Sequence, residues 1–197
     1  MNLSEDQTKI ILFGGGTLNK EKLNSVYQLN LATYTWEKLS LNSEDPQPWN
    51  RSYHCSEIIG NYLVVFGGEF FHDLDDLWLF DLENRKWIEI KINGNDFKPR
   101  GRKFASSYKY KNRFYIVGGC HSKYESLSDA YFIDFNLFLE TNNPEDLKWS
   151  EFKLTNTHLI NRWGHVSVVK KNKAYIFGGR LASKDLQNLV SINLVTS

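Results

Sequence analysis

Short apolar runs, each closed by two glycines, punctuate the chain four times. Ile11-Leu12-Phe13-Gly14-Gly15 returns as Val64-Val65-Phe66-Gly67-Gly68, then as Tyr115-Ile116-Val117-Gly118-Gly119, then as Tyr175-Ile176-Phe177-Gly178-Gly179. The first glycines are 53, 51 and 60 residues apart. Runs of β-branched and aromatic residues read as strands, and a glycine pair at their end lets the chain leave sharply. A second apolar run follows each pair and closes on Asn30, Asp81, Asp134 or Asn193. Its side chains are apolar at nearly every position, so it predicts a strand covered on both faces. The closing Asp or Asn accepts hydrogen bonds from turn amides, which suits a hairpin. A tryptophan then comes six residues on in two repeats, at Trp36 and Trp87. In the third it comes fifteen residues on, at Trp149, which places a nine-residue insertion around 136–146. The dipeptide Asn143-Pro144 in that insertion predicts a loop. Finally, Arg51, Arg102 and Arg162 each stand 16 residues before their glycine pair, opening a strand that ends in a polar turn. Trp36, Trp87 and Trp149 are expected in equivalent outer strands, buried against neighbouring repeats.

One unit is therefore four strands: an Arg strand, a Gly-Gly strand, an Asp strand and a Trp strand. Helical periodicity is not evident over any useful length. About fifty residues per four-stranded unit is the arithmetic of a β-propeller blade. Composition agrees with this all-β reading. Of 197 residues, 15% are aromatic, with 6 Trp, 10 Tyr and 13 Phe, and aromatics favour strands. The 24 basic and 23 acidic residues leave a net charge of +1, which argues against a dedicated nucleic-acid binder. The apolar runs are far shorter than the ~20 residues of a membrane helix. The acidic, polar start lacks the pattern of a signal peptide. With only Cys55 and Cys120 there is no disulfide framework or cysteine zinc site, and a cytoplasmic location is the expectation.

The four glycine pairs, the spaced tryptophans and the aligned arginines, with Arg162-Trp163-Gly164-His165 as the fullest example, resemble the kelch repeat family. The resemblance runs from about Lys9 to Thr196. It is nearer to the Rab-effector and host-cell-factor types than to the BTB ubiquitin-ligase adaptors, which favour Tyr-Asp-Pro after the Asp strand. It implies a kelch β-propeller with four recognisable blades and about 14 strands. Blade one spans about 8–40, blade two 48–91, blade three 99–154 with the insertion, and blade four 159–197. Blade one is expected to lack its first strand, because 2–6 is too polar, and blade four its last. The array is thus read as a partial or open propeller, whose uncovered edges invite association.

Two readings compete for the arginines. They form a ring of cations at the channel mouth, or each packs on aromatics and bonds carbonyls between blades; recurrence in successive blades favours the scaffold. His54 and His165 also share a repeat position and read as structural. The loops that differ between blades carry more information, since recognition resides in variable loops on a rigid frame. Partner-binding candidates are Trp49, Arg51, Phe70, Phe71, His72, Arg102, Lys103, Tyr124, Arg162 and Trp163. The insertion 136–146, with its acidic residues, is the rival site on the opposite face.

Enzymes on this fold supply the alternatives. Galactose oxidase holds copper through Tyr and His, and nothing here matches its ligands residue by residue. Kelch specifier proteins hold iron through Glu-x3-Asp-x3-His; Glu125 and Asp129 begin that pattern, but position 133 is Ile. Kelch sialic-acid mutarotases carry an export signal. No nucleotide-binding or nucleophile motif occurs. The resemblance thus implies a non-catalytic scaffold that reads a protein or peptide through loops on one face, with no cofactor. The competing class is the regulatory propeller of a longer enzyme, such as a kelch-linked Ser/Thr phosphatase.

Overall fold

The computed structural model describes residues 1–39, 45–92, 97–154 and 156–195. Each repeat folds into one antiparallel sheet, and the four sheets stand face to face as propeller blades. Blade one holds β1 (Asn2–Leu3), β2 (Lys9–Phe13), β3 (Val26–Asn30) and β4 (Thr35–Lys38), in that order. Blade two holds β5 (Cys55–Ile59), β6 (Tyr62–Phe66), β7 (Leu77–Asp81) and β8 (Lys86–Ile90). In blade three, β9 (Ser106–Tyr110) and β10 (Arg113–Val117) lead to a small hairpin, β11 (Cys120–His121) and β12 (Glu125–Ser126). β13 (Ala130–Asp134) and β14 (Trp149–Glu151) then complete the sheet. Blade four has β15 (Val166–Lys170), β16 (Lys173–Phe177), a hairpin of β17 (Arg180–Leu181) and β18 (Lys184–Asp185), and β19 (Leu189–Asn193). Its sheet has three strands among the described residues, β15-β16-β19.

Three sequence expectations need correction. Blade one does have a first strand: Asn2 and Leu3 pair with Ile11 and Ile10. It is only two residues long because Ser4 to Asp6 fold into a turn, where the Asp6 carboxylate accepts from the Ser4 hydroxyl and from the Thr8 amide and hydroxyl. The blade-three insertion is not all loop. It forms a six-residue helix, α1 (Asn136–Thr141), followed by a 3-10 turn at Pro144–Asp146. Burial holds this helix in place: Phe138 is enclosed, its ring edge-on to Tyr62 of blade two at 5.1 Å. The third correction concerns Trp36, which is 52% exposed, whereas Trp87 and Trp149 are 7% and 6% exposed.

The core explains that difference. Alternate residues of each sheet point to opposite faces, so each blade offers one face to the blade before it and one to the blade after. Ile11, Phe13 and Val26 of blade one pack against Leu63, Val65, Phe80 and Trp87 of blade two. Val64, Phe66 and Leu77 of blade two pack in turn against Phe114, Ile116, Ile133 and Trp149 of blade three. A third cluster joins Tyr115 and Val117 of blade three to Ala174, Ile176 and Ile192 of blade four. At each of the first two junctions a Trp meets the Phe that precedes the glycine pair. Trp87 meets Phe13, and Trp149 meets Phe66, both at 4.9 Å and near-perpendicular. Trp36 has the same place in blade one, opposite Leu29 as Trp87 is opposite Phe80, but no blade precedes it among the described residues.

The glycine pairs fasten the junctions. The second glycine donates to the carbonyl of the next blade's Arg: Gly15 to Arg51 at 2.8 Å, Gly68 to Arg102 at 2.8 Å, Gly119 to Arg162 at 2.9 Å. A Cβ on Gly67 would stand 2.7 Å from the Arg102 oxygen, and its φ is +66°. Close approach and a left-handed backbone together demand glycine there.

Candidate partner-binding face

The three arginines are buried, and each guanidinium is spent within its own blade. Arg51 donates to both oxygens of Asp76 at 2.7 Å and to the Gly67 carbonyl at 3.0 Å. Arg102 does the same with Asp129, at 2.6 and 3.1 Å, and with the Gly118 carbonyl. Arg162 reaches Asn188 at 3.0 Å and the Gly178 carbonyl at 2.8 Å. Each Nε also bonds a carbonyl two or three residues upstream. Burial pushes the Asp76 and Asp129 carboxyls up, but the arginine hydrogen bonds and charge outweigh it and hold both below the usual range. These arginines therefore serve the frame and present no cation to a partner. The partner residues lie 25, 27 and 26 positions downstream, a repeat spacing that could have revealed the pairing. Asp129 is thereby committed to an arginine rather than to a metal ligand set.

That clamp orients the residues around it. The residue after each Arg bridges the residue after the glycine pair: Ser52 with Glu69, Lys103 with Cys120, Trp163 with Arg180. The Arg-strand starts and the post-glycine loops thus share one face. His54 sits against the Phe13 ring at 5.2 Å, and burial, with the Arg51 charge adding to it, lowers its pKa to about 3. Burial likewise lowers His165 to about 4.

Two aromatic groups lie on this face. In the first, Trp49 is exposed with its ring 5.7 Å from Phe70, which lies 4.1 Å from the outward-pointing Phe71. A cleft of about 510 Å³ beside them is lined by Lys20, Lys22, Asn50, Phe70 and Phe71. His72 is exposed in the same turn, and its carbonyl accepts from the Phe70 amide. The second group runs across three blades. Tyr53 lies 4.1 Å from Phe104, Phe104 5.5 Å from Trp163, and Trp163 stacks on Tyr124 at 5.0 Å. Lys103 lies over Tyr124 and Arg180 over Trp163, each 5.5 Å from the ring centre. Lys103 is also locked beneath the face by Glu69 and Asp73, and Glu69 in turn holds Lys22 at 2.5 Å. Burial lowers the Lys103 pKa, but those carboxylates more than reverse it, so this amine stays charged and structural.

The sequence reading missed Tyr53 and Phe104. Both stand two residues after their Arg, where blade four has Gly164. All three adopt left-handed backbone, with φ of +61°, +55° and +64°. Glycine does this freely; a bulky residue stores about 1–3 kcal/mol there. The legible signal was an aromatic in the glycine place of the Arg-x-Gly-His pattern. On the opposite side, α1 and the following turn expose Glu140 and Glu145, while Phe138 and Leu147 are buried as part of the core.

Stacked antiparallel sheets of four strands, three in blade four, with Gly-Gly junctions define a β-propeller section, and the Arg strands beside those glycine pairs give it the kelch pattern. The profile described as the KLHDC2/KLHL20/DRC7 Kelch-repeats domain matches residues 1–179. The chain belongs to the kelch repeat family. It is 32% identical over 182 residues to Tip elongation aberrant protein 1 of Schizosaccharomyces pombe, 89% of this chain and 15% of that protein. It is 30% identical over 186 residues to Adagio protein 3 of Arabidopsis thaliana, 91% of this chain and 28% of that one. It is 25% identical over 172 residues to Kelch domain-containing protein 3 of Mus musculus, 82% of this chain and 42% of that one. The chain therefore spans less than half the length of each of these relatives. No helix among the described residues is long and apolar enough to cross a membrane.

Proposed function

We propose that this kelch section is a non-catalytic recognition module that seats a protein or peptide on its aromatic face. The observation that carries the reading is the run Tyr53, Phe104, Trp163 and Tyr124, four rings in contact across three blades. Aromatic side chains supply large contact area and anchor interfaces. Here three of them, Tyr53, Phe104 and Tyr124, are kept on left-handed backbone, a cost that tends to persist at functional sites. Trp49, Phe70, Phe71 and His72 extend the same surface. Rigid blades beneath it lower the ordering cost of binding. The module needs no cofactor, takes no nucleic acid, and works in the cytoplasm. Both cysteines are free and buried, and burial raises their pKa values to about 12 for Cys55 and about 11 for Cys120, which suits inert thiols.

The test exploits the backbone strain. Peptides are selected from a displayed library on the wild-type chain and then measured against Tyr53→Gly/Phe104→Gly. Glycine relieves the left-handed backbone, so the variant keeps its melting temperature and loses the selected peptides at least tenfold. A folded variant that binds them as tightly as wild type contradicts the reading. If reversing Glu140 and Glu145 to Lys abolishes binding instead, the face around α1 is the site. A second reading is favoured by the relatives' greater length: the same face recruits substrates for a longer multidomain enzyme. Under it, the peptide selection gives the same result, and an enzymatic domain stands elsewhere in the parent protein.

A further inference from the structure

Glu69, Asp73, Lys22 and Lys103 form a charged network beneath the aromatic face, and it joins the parts that carry the two groups of rings. Glu69 shares its oxygens between blades: Oε1 accepts from Lys22 of blade one at 2.5 Å, and Oε2 from Lys103 of blade three. Lys22 also donates to the Phe70 carbonyl at 2.8 Å, which holds the turn of Phe70 and Phe71 against blade one. Lys103 meets Asp73 at 3.3 Å and lies over the Tyr124 ring. The Asp73 carboxylate, whose side chain is 5% exposed, accepts from the Ser122 amide at 2.7 Å. It thereby pins the turn in which Ser122, Lys123 and Tyr124 all have positive φ. Tyr53 and Phe70 follow Ser52 and Glu69, whose antiparallel bridge sends them in opposite directions from this base. Hydrogen bonds between charged groups are roughly twice as strong as neutral ones, so the base is stiff.

We infer that Glu69 is the positioning residue of this face, tying its two aromatic groups to one base so that a single extended segment with two apolar anchors engages both. The inference rests on the reading of this face as a surface for a protein or peptide. Groups fixed to one frame take a segment that spans them at a lower ordering cost than groups that move separately. The first anchor meets the exposed Trp49 and Phe71, the second the exposed Tyr53 and Tyr124. The anchors are apolar rather than basic, because Lys103 already lies over Tyr124 and Arg180 over Trp163. A partner's Lys or Arg at those rings would meet like charge. Only a carboxylate can hold both lysines, since an amide offers one acceptor oxygen and turns donors toward the other amine. Losing it acts unequally on the two groups. Lys103 keeps Asp73, whereas Lys22 is left with the Phe70 carbonyl, so the group of Trp49, Phe70 and Phe71 is the one released.

Fluorine NMR of the chain labelled with fluorotryptophan tests this, since Trp49 reports on the first group and Trp163 on the second. Trp49→Phe and Trp163→Phe assign their lines. A peptide selected from a displayed library on the wild-type chain moves both lines at one Kd, and alanine scanning of that peptide finds two apolar anchors. On Glu69→Gln, whose unmoved Trp87 and Trp149 lines show that it folds, the same peptide binds at least tenfold more weakly and moves the Trp49 line less at saturation. Lys22→Met breaks the tie from blade one and repeats the result should Glu69→Gln misfold. A peptide that moves the Trp163 line but not that of Trp49, or the reverse, overturns the inference and leaves the aromatic face as a binding surface. So does wild-type affinity on folded Glu69→Gln, or a pair of anchors that prove to be Lys or Arg. A peptide that moves neither line contradicts the aromatic face itself, and the inference with it.

Discussion

Trp87 and Trp36 hold the same register in adjacent blades, opposite Phe80 and Leu29, yet one is 7% and the other 52% exposed. Phe66 and Phe177 make the same contrast at the other side of a junction, 0% against 52%. The residue type does not decide burial here; the presence of a neighbouring blade does. In an array where each unit contacts only its neighbours, stability is a sum over units and junctions. Two regions of one molecule, built from the same repeat, should therefore respond very differently to the same substitution.

The largest effect should come from the interior. Trp87→Ala removes a ring packed on Phe13, Trp78 and Phe80, and should cost about 3–5 kcal/mol in denaturant unfolding. Next, Asp129→Ala leaves Arg102 buried without its carboxylate, and should cost about 3 kcal/mol by the same measurement. Asp129→Asn should cost less, since Arg162 with Asn188 shows that an amide fits the clamp. A smaller, pH-dependent effect belongs to Glu57, on the junction between blades two and three, where Ser107 donates to it. Burial raises its pKa to about 7, so the folded state holds a proton that the unfolded chain releases above the ordinary value of 4.5. The stability Glu57 contributes is full below about pH 4.5 and is lost as pH rises through about 7. The melting temperature of Glu57→Gln should gain on wild type over that window and differ least at the acid end. The histidines act oppositely. With His54 and His165 lowered to about 3 and 4 from 6.5, their contribution is present above pH 6.5 and lost as pH falls toward those values. The smallest effect is at the free end: Trp36→Ala should change dilute-solution stability by no more than about 0.5 kcal/mol.

The strand order and the four sheets were legible in the chain because glycine pairs, Asp turns and tryptophans recur in register, and each reports backbone geometry rather than packing. Burial was legible only inside the array. Trp36 reads the same as Trp87 until its neighbour is considered, which no local pattern contains. The helix at Asn136–Thr141 escaped notice because six residues cannot display a helical period, and its placement depends on Phe138 reaching Tyr62 in another blade. The arginines read as either a cationic ring or a scaffold; their buried pairing with Asp76, Asp129 and Asn188 decides for the scaffold. Lys103, chosen for its exposed loop, is tied down by Glu69 and Asp73. Tyr53 and Phe104 were hidden because the departure that matters, a side chain where the repeat has glycine, looks like ordinary variation in a single chain.

Native-state hydrogen exchange in dilute solution tests the junction account most directly. Amides of β6 and β10, each covered by junctions on both faces, should exchange slowest, at rates set by global unfolding. Those of β16, which occupies the same place in blade four but has one face open, should exchange at least tenfold faster. Equal protection of Val64, Ile116 and Ile176 would contradict it.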